Sequence, residues 1–296
     1  MFMAQQRQDI LRHLPSSRTL VMGILNLTPD SFSDGGQYNQ PELALEHALQ
    51  MVADGADLID IGGESTRPGA RRVDPLLEQQ RILPVIEELA AHGLVMSVDT
   101  LNPQTASLAV AAGAHIVNDV SGMSLSDDMI KTVAELGVPY ILTHARGNSQ
   151  TMDQQAGYAN DPVDEVVQEL GGLRDRLLAG GVDPQQLIVD PGLGFAKVGD
   201  QDWQLLAGLD GLKQLGHPVL VAGSRKRFIG SLLAEQKEAR GQGAAHSAGE
   251  FQERDYVTAA ISTYAALQGA WAVRVHCVRP SADAVAAVAK IKEFSA

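Results

Sequence analysis

The stretch 22-MGILNLTPDSFSDGG-36 turns from a buried strand into a polar loop closed by two glycines. Residues Thr19 to Leu27 are apolar enough for a strand covered on both faces. The chain then presents one side-chain amide, Asn26, and two carboxylates, Asp30 and Asp34. A strand that ends this way meets solvent or a site. The same transition recurs to the end of the chain, so the polar tips read as one site assembled from many strand ends.

Outward from this stretch the pattern alternates. Strands are expected at 57-DLIDIGG-63, 94-LVMSVDT-100, 115-HIVNDVS-121, 139-PYILTH-144, 186-QLIVDPG-192, 218-PVLVAGS-224 and 272-AVRVH-276. Helices are expected at 41–54, 75–92, 103–113, 127–136, 163–179, 202–215, 257–269 and 281–294. Pro84 should kink or break the second of these. The run Gln236–Glu253, rich in Gly, Ala, Gln and charge, reads as an exposed insertion. Residues 1–18 read as a loosely attached lead-in, and 19–296 as one domain.

Short apolar strands separated by amphipathic helices signal a parallel sheet. Eight such units favour an α/β fold of the single (β/α)8 TIM-barrel type with a short N-terminal extension. An open doubly wound sheet carries the same alternation. However, no Gly-x-Gly-x-x-Gly follows the first strand, which weighs against a dinucleotide-binding version.

Composition narrows the function. The chain has 23 Lys and Arg against 36 Asp and Glu, a formal charge of −13, which disfavours nucleic acid as a partner. The single cysteine, Cys277, excludes an intrachain disulfide and a cysteine-based metal knuckle. No run reaches signal-peptide or membrane-spanning length, so the expectation is a cytoplasmic protein with no membrane partner.

In a barrel of this kind the site lies at the C-terminal ends of the strands. There stand Asn26, the loop 64-ESTRPG-69, Asp99, Asn118 with Asp119, His144, Asp190, 224-SRK-226, and Arg274 with His276. Any one alone is ordinary: an Asp there usually caps a helix or forms a turn. A full ring of them needs mutual partners, water or a ligand, because a buried unpaired polar group costs about 1–3 kcal/mol. Asp99, Asn118 and Asp190 could read a flat, nitrogen-rich ring in its plane. Lys226, Arg225, Arg274, His276 and Arg67 offer charge for an anion, and Asn26 is a hard oxygen ligand of the kind Mg²⁺ accepts beside phosphate and water.

The chain resembles the dihydropteroate synthase family. The resemblance rests on 22-MGILNLTPDSFSDGG-36, 59-IDIGGESTRPGA-70, 97-SVDT-100, 118-NDVSG-122, 189-VDPGLGFAK-197, 223-GSRKRFIG-230 and 273-VRVH-276, which occur in family order. It implies condensation of 6-hydroxymethyl-7,8-dihydropterin pyrophosphate with para-aminobenzoate in folate biosynthesis, with Mg²⁺ as cofactor and sulfonamides as inhibitors. Asp99, Asn118, Asp190, Lys226 and Arg274 would hold the pterin. Arg274 and His276 would reach pyrophosphate, and Asn26 would support the metal. Phe32, Asp34, Ser65, Thr66, Arg67 and Pro68 would arrive on mobile loops, with Asp34 at the reacting carbon. Phe195, Lys226 and Arg227 would help bind para-aminobenzoate. The family implies a homodimer through helices here near 257–268 and 281–294. The sequence departs from the family at Thr143, where Met is common, at Cys277, where Asp is common, and at Arg227, where many members have Ser. Two other readings share the barrel: a pterin-binding paralogue that is silent or altered in specificity, and a pterin-dependent methyltransferase domain.

Overall fold

The structure, a computed structural model, describes residues 14–28, 40–65, 69–70, 72–241 and 250–295. Its frame is a parallel sheet of β1 (Leu20–Asn26), β2 (Leu58–Gly62), β3 (Met96–Asp99), β4 (Ile116–Asp119), β5 (Tyr140–Thr143), β6 (Leu187–Asp190), β7 (Leu220–Val221) and β8 (Ala272–Val275). The strands lie in the order β6-β5-β4-β3-β2-β1-β8-β7. A parallel bridge between Val189 and Val219 brings β7 back beside β6, so the sheet is a nearly closed (β/α)8 barrel.

Around it run α1 (Gln40–Ala53), α2 (Pro75–Ala91), α3 (Pro103–Ala112), α4 (Asp127–Leu136), α5 (Pro162–Ala179), α6 (Gln201–Ala207), α7 (Leu209–Lys213), α8 (Arg227–Ala239), α9 (Glu250–Leu267) and α10 (Val278–Lys292). Their starts are written locally. Asp74, Asn102 and Asp161 each cap a backbone N–H, and each is followed by a proline in the first turn, where its missing donor costs nothing.

Strand alternation positions the site. Leu20, Met22, Leu58, Ile116, Ile141, Ile188, Leu220 and Ala272 form one buried apolar cluster inside the barrel. Side chains of a strand repeat every second residue. Two residues beyond Leu58, Ile116, Ile141, Ile188 and Ala272, on the same face, therefore stand Asp60, Asn118, Thr143, Asp190 and Arg274. The register aligns them across strands: Gly62 pairs with Asp99, Asp99 with Asn118, and Thr143 with Asp190. The outward faces pack against the helices in a second, larger apolar core.

Several local expectations change. Pro84 lies inside α2 without ending it. The helix expected over 202–215 is two, α6 and α7, meeting at Gly208, where a Cβ would come within 2.6 Å of Val163. The expected insertion is helical at both ends, since α8 runs to Ala239 and α9 begins at Glu250, and 242–249 lie outside the described residues. The β7 ladder is only Leu220–Val221, shorter than the expected 218–224, and the chain takes a positive φ of +59° at Arg225 beyond it. The end of the lead-in is not loose: Leu14 packs on the inner cluster, and Arg18 pairs with Asp57 at 2.7 and 2.8 Å.

Candidate active site

The deepest polar group at the C-terminal mouth is Asp60, which is fully buried. Its carboxylate accepts hydrogen bonds from Ser97 Oγ, from Asn118 Nδ2 at 3.1 Å and from Arg274 Nε at 2.6 Å. Arg274 also donates to Asp99 Oδ2 at 2.9 Å. Burial works against the Arg274 charge, but Asp60 and Asp99 hold it as a guanidinium. Burial pushes the Asp99 carboxyl up to about 7; Arg274 opposes the shift and Asp60 adds to it. The sequence reading missed Asp60. The available signal was its place two residues after Leu58 and two before Gly62, on the inward face of an otherwise apolar strand.

Asn118 is held by this network through its amide nitrogen alone. Its Oδ1 is buried without a hydrogen-bond partner among the described residues, as is Thr143 Oγ1 on the neighbouring strand. Two unmet acceptors beside Asp99 and Asp190 suit a ligand that brings its own donors.

On the far side stand Asp190 and Lys226. Burial raises the Asp190 carboxyl, and Lys226 and the Gly192 N–H, donated at 2.7 Å, oppose this. Burial lowers Lys226 to about 8. The Lys226 amine donates to the Leu193 carbonyl and lies 4.4 Å from the Phe195 ring centroid, a cation–π contact. Phe195 also lines a cavity of about 260 Å³ with Ser65, Asp119, Arg146 and Asn148. Asp119 faces away from its strand neighbour Asn118 and is satisfied by Tyr140 Oη at 2.7 Å.

Behind Phe195 lies a second polar chain that the sequence did not reveal. His144 is completely buried, with Nε2 2.7 Å from Glu169 and Nδ1 3.0 Å from the Lys197 amine. An amine donating to Nδ1 assigns the ring proton to Nε2, so the imidazole is neutral and donates to Glu169. Burial holds it down at about 4, in keeping with that assignment. Burial alone would raise Glu169, but hydrogen bonds from His144 and Arg146 hold it at about 2.

His276 sits at the end of β8 with Nδ1 3.1 Å from Ser224 Oγ. Arg227 is exposed and paired with Asp153 at 2.5 and 2.8 Å, so its side chain points along the rim toward the loop after β5. Cys277 is half-buried at the start of α10. Phe32, Asp34, Thr66, Arg67 and Pro68 fall outside the described residues.

For a metal, no three His, Cys, Asp or Glu side chains converge among the described residues. Asn26 closes β1, and its Oδ1 and Asp99 Oδ2 stand 3.9 and 3.8 Å from where a Cβ on Gly62 would be. Two hard oxygens, one of them already accepting from Arg274, would supply only part of a Mg²⁺ shell, and phosphate and water would have to complete it.

Comparison with known proteins agrees with this geometry. The pattern of the family described as pterin binding enzyme matches residues 22–276. The dihydropteroate synthase of Mycobacterium leprae (strain TN) is 48% identical over 268 residues, 90% of this chain and 92% of that one. A Xanthomonas albilineans dihydropteroate synthase solved with 4-aminobenzoic acid is 40% identical, with a TM-score of 0.81 and 93% of each chain covered. A Yersinia pestis dihydropteroate synthase solved with a sulfonamide drug has a TM-score of 0.83 at 37% identity, covering 95% of this chain and 96% of that one.

Proposed function

This chain belongs to the dihydropteroate synthase family of pterin-binding enzymes and is a transferase, and we propose that it joins 6-hydroxymethyl-7,8-dihydropterin pyrophosphate to para-aminobenzoate. The observation that carries this is the convergence of Asp99, Asn118, Asp190, Lys226 and Arg274 on the inner face at one end of the barrel. The pterin ring would lie between them, its N–H edge on Asp190 and its amide edge on Asn118.

In the reaction the methylene C–O bond breaks and its electron pair leaves on pyrophosphate. The amine lone pair of para-aminobenzoate forms the C–N bond, and the amine proton is released. Cleavage ahead of attack, an SN1-like course, suits this site. Asp190 against the ring N–H edge favours the delocalised cation, and Arg274 and His276 meet the charge growing on the leaving oxygens. Asn26 would hold Mg²⁺, which when bound supplies positive charge to the pyrophosphate oxygens. Asp34 and the residues of 64-ESTRPG-69 would close over the methylene and exclude water. Phe195 and Lys226 would seat the arylamine, the position a sulfonamide would contest.

The test is direct. Purified protein with Mg²⁺ and both substrates should yield dihydropteroate and pyrophosphate. Pterin binding without turnover would favour a silent binder instead.

A homodimer is part of the proposal. Tyr256, Tyr264 and Leu267 on α9, Ile291 on α10 and Phe294 just beyond it are exposed, an apolar set that a second copy would cover. Sedimentation as a monomer at micromolar concentration would dispose of it. Among the described residues no helix is long and apolar enough to cross a membrane.

A further inference from the structure

The loop 192–197 between β6 and α6 carries Phe195, and hydrogen bonds hold its backbone at several points. Gly194 N–H donates to Asp202 at 2.6 Å, and Phe195 N–H donates to the Gly192 carbonyl at 3.0 Å. The Ala196 carbonyl accepts from Tyr158 Oη at 3.3 Å, and the Leu193 carbonyl accepts from Lys226. The Phe195 carbonyl accepts from the Lys197 amine at 2.8 Å.

Two features set Lys197 apart. It is 2% exposed, yet the hydrogen bonds of its amine go to the Phe195 carbonyl and His144 Nδ1, neither of them a carboxylate. An amine buried with no carboxylate in direct contact, Asp202 and Asp190 favouring its charge only from beyond hydrogen-bond reach, is costly, and an apolar side chain of the same length would pack there more cheaply. The backbone nearby is also strained. Among the described residues, the two non-glycines with positive φ are Ala196 at +51° and Arg225 at +59°. One directly follows Phe195 and the other directly precedes Lys226, the two members of the cation–π pair. Such backbone persists where its surroundings over-determine it, and it clusters at sites where geometry matters.

We propose that Lys197 is a positioning residue for the arylamine. It fixes the Phe195 carbonyl from below, and through it the ring against Lys226. Lys197 is in turn held by His144, whose other nitrogen is locked by Glu169 and whose backbone N–H donates to the Asp190 carbonyl at 2.9 Å. Gly192 has no room for a side chain, since a Cβ there would lie 1.7 Å from the His144 carbonyl oxygen. The chain Glu169–His144–Lys197 therefore links α5 to the seat without touching substrate. The role rests on the synthase reading above.

The test is steady-state kinetics with para-aminobenzoate, paired with calorimetry of pterin pyrophosphate binding, on the whole protein. Lys197→Met keeps length and removes the donor. It should raise KM for para-aminobenzoate about tenfold, the scale expected when a seat moves by less than an ångström. Pterin pyrophosphate affinity should stay within about twofold, because the pterin-facing residues that touch this loop, Lys226 and Asp190, keep their own bonds to the Leu193 carbonyl and the Gly192 N–H. A folded Lys197→Met with KM for para-aminobenzoate unchanged would overturn the proposal. So would a loss shared equally by both substrates, which is what simple destabilisation produces. If Lys197→Met does not fold, Glu169→Gln on the half-buried face of α5 takes its place. It should raise the same KM about threefold with pterin binding intact, and no change would count against the proposal. A wild-type protein that makes no dihydropteroate would sink the synthase reading itself, and this role with it.

Discussion

Asp60→Asn is the most informative single change, because three donors converge on that carboxylate. Ser97 Oγ, Asn118 Nδ2 and Arg274 Nε share its two oxygens. An asparagine keeps the volume but offers one accepting oxygen and an NH2 that faces a donor. At least one of the three partners is left unmet at a site with no exposure. Each unmet buried donor costs about 1–3 kcal/mol, and breaking a buried ion pair from one side costs about 3–5 kcal/mol. We therefore expect a loss of about 3–5 kcal/mol in unfolding free energy, measured by urea denaturation at pH 7. Arg274 keeps Asp99, and the Asp99 carboxyl should fall from its position near 7 because the Asp60 charge beside it is gone. Asn118 and Arg274 lose their common anchor. If only about 1.4 kcal/mol of the loss is expressed in binding, the Kd for pterin pyrophosphate rises tenfold. An Asp60→Asn protein within about 1 kcal/mol of the wild type, with pterin affinity unchanged, would refute Asp60 as the anchor of the pocket.

Three further outcomes follow from the same geometry. Asp190→Ala removes a carboxylate that can take two charge-assisted hydrogen bonds from the ring, about 3 kcal/mol or more, so calorimetry should show pterin affinity down by at least about a hundredfold. Asp34→Ala should slow turnover by about tenfold or more while sparing pterin binding; pterin affinity that collapsed with turnover intact would contradict the role proposed for it. His144 should make stability fall with acid. Burial holds it near 4 in the folded protein against an ordinary value of 6.5, so between those values the unfolded chain binds the extra proton. Stability is then complete above about 6.5 and lost as pH falls toward 4, by about 2–3 kcal/mol. His144→Gln should flatten that slope in urea titrations at pH 7 and 4.5, and an unchanged slope would remove His144 from the account.

Much of the barrel is a local matter and could be read from the chain. Strand length, apolar runs, capping residues such as Asp74 and Asn102, and the helical spacing between strands each depend on neighbours a few residues away. The polar residue at each strand tip was visible for the same reason, and so Asp99, Asn118, Asp190 and Arg274 could be named before their contacts were known. Where expectations missed, a tertiary contact had overruled a local signal. At the Gly208 corner Val163 comes so close that no side chain fits there. Leu14 is anchored by the apolar interior of the barrel, and Asp60 is held inside β2 by partners on three other strands.

That 22-MGILNLTPDSFSDGG-36 opens a repeating strand-and-helix chain with one polar end is legible locally, because side-chain alternation and helix period are properties of short segments. Which polar groups touch depends on the folded barrel. Asp60 and Arg274 are 214 residues apart in sequence and 2.6 Å apart in space. Lys197 reaches back 53 residues to His144. Burial then set their charges, since the energy of a buried ion depends on partners that local sequence does not supply.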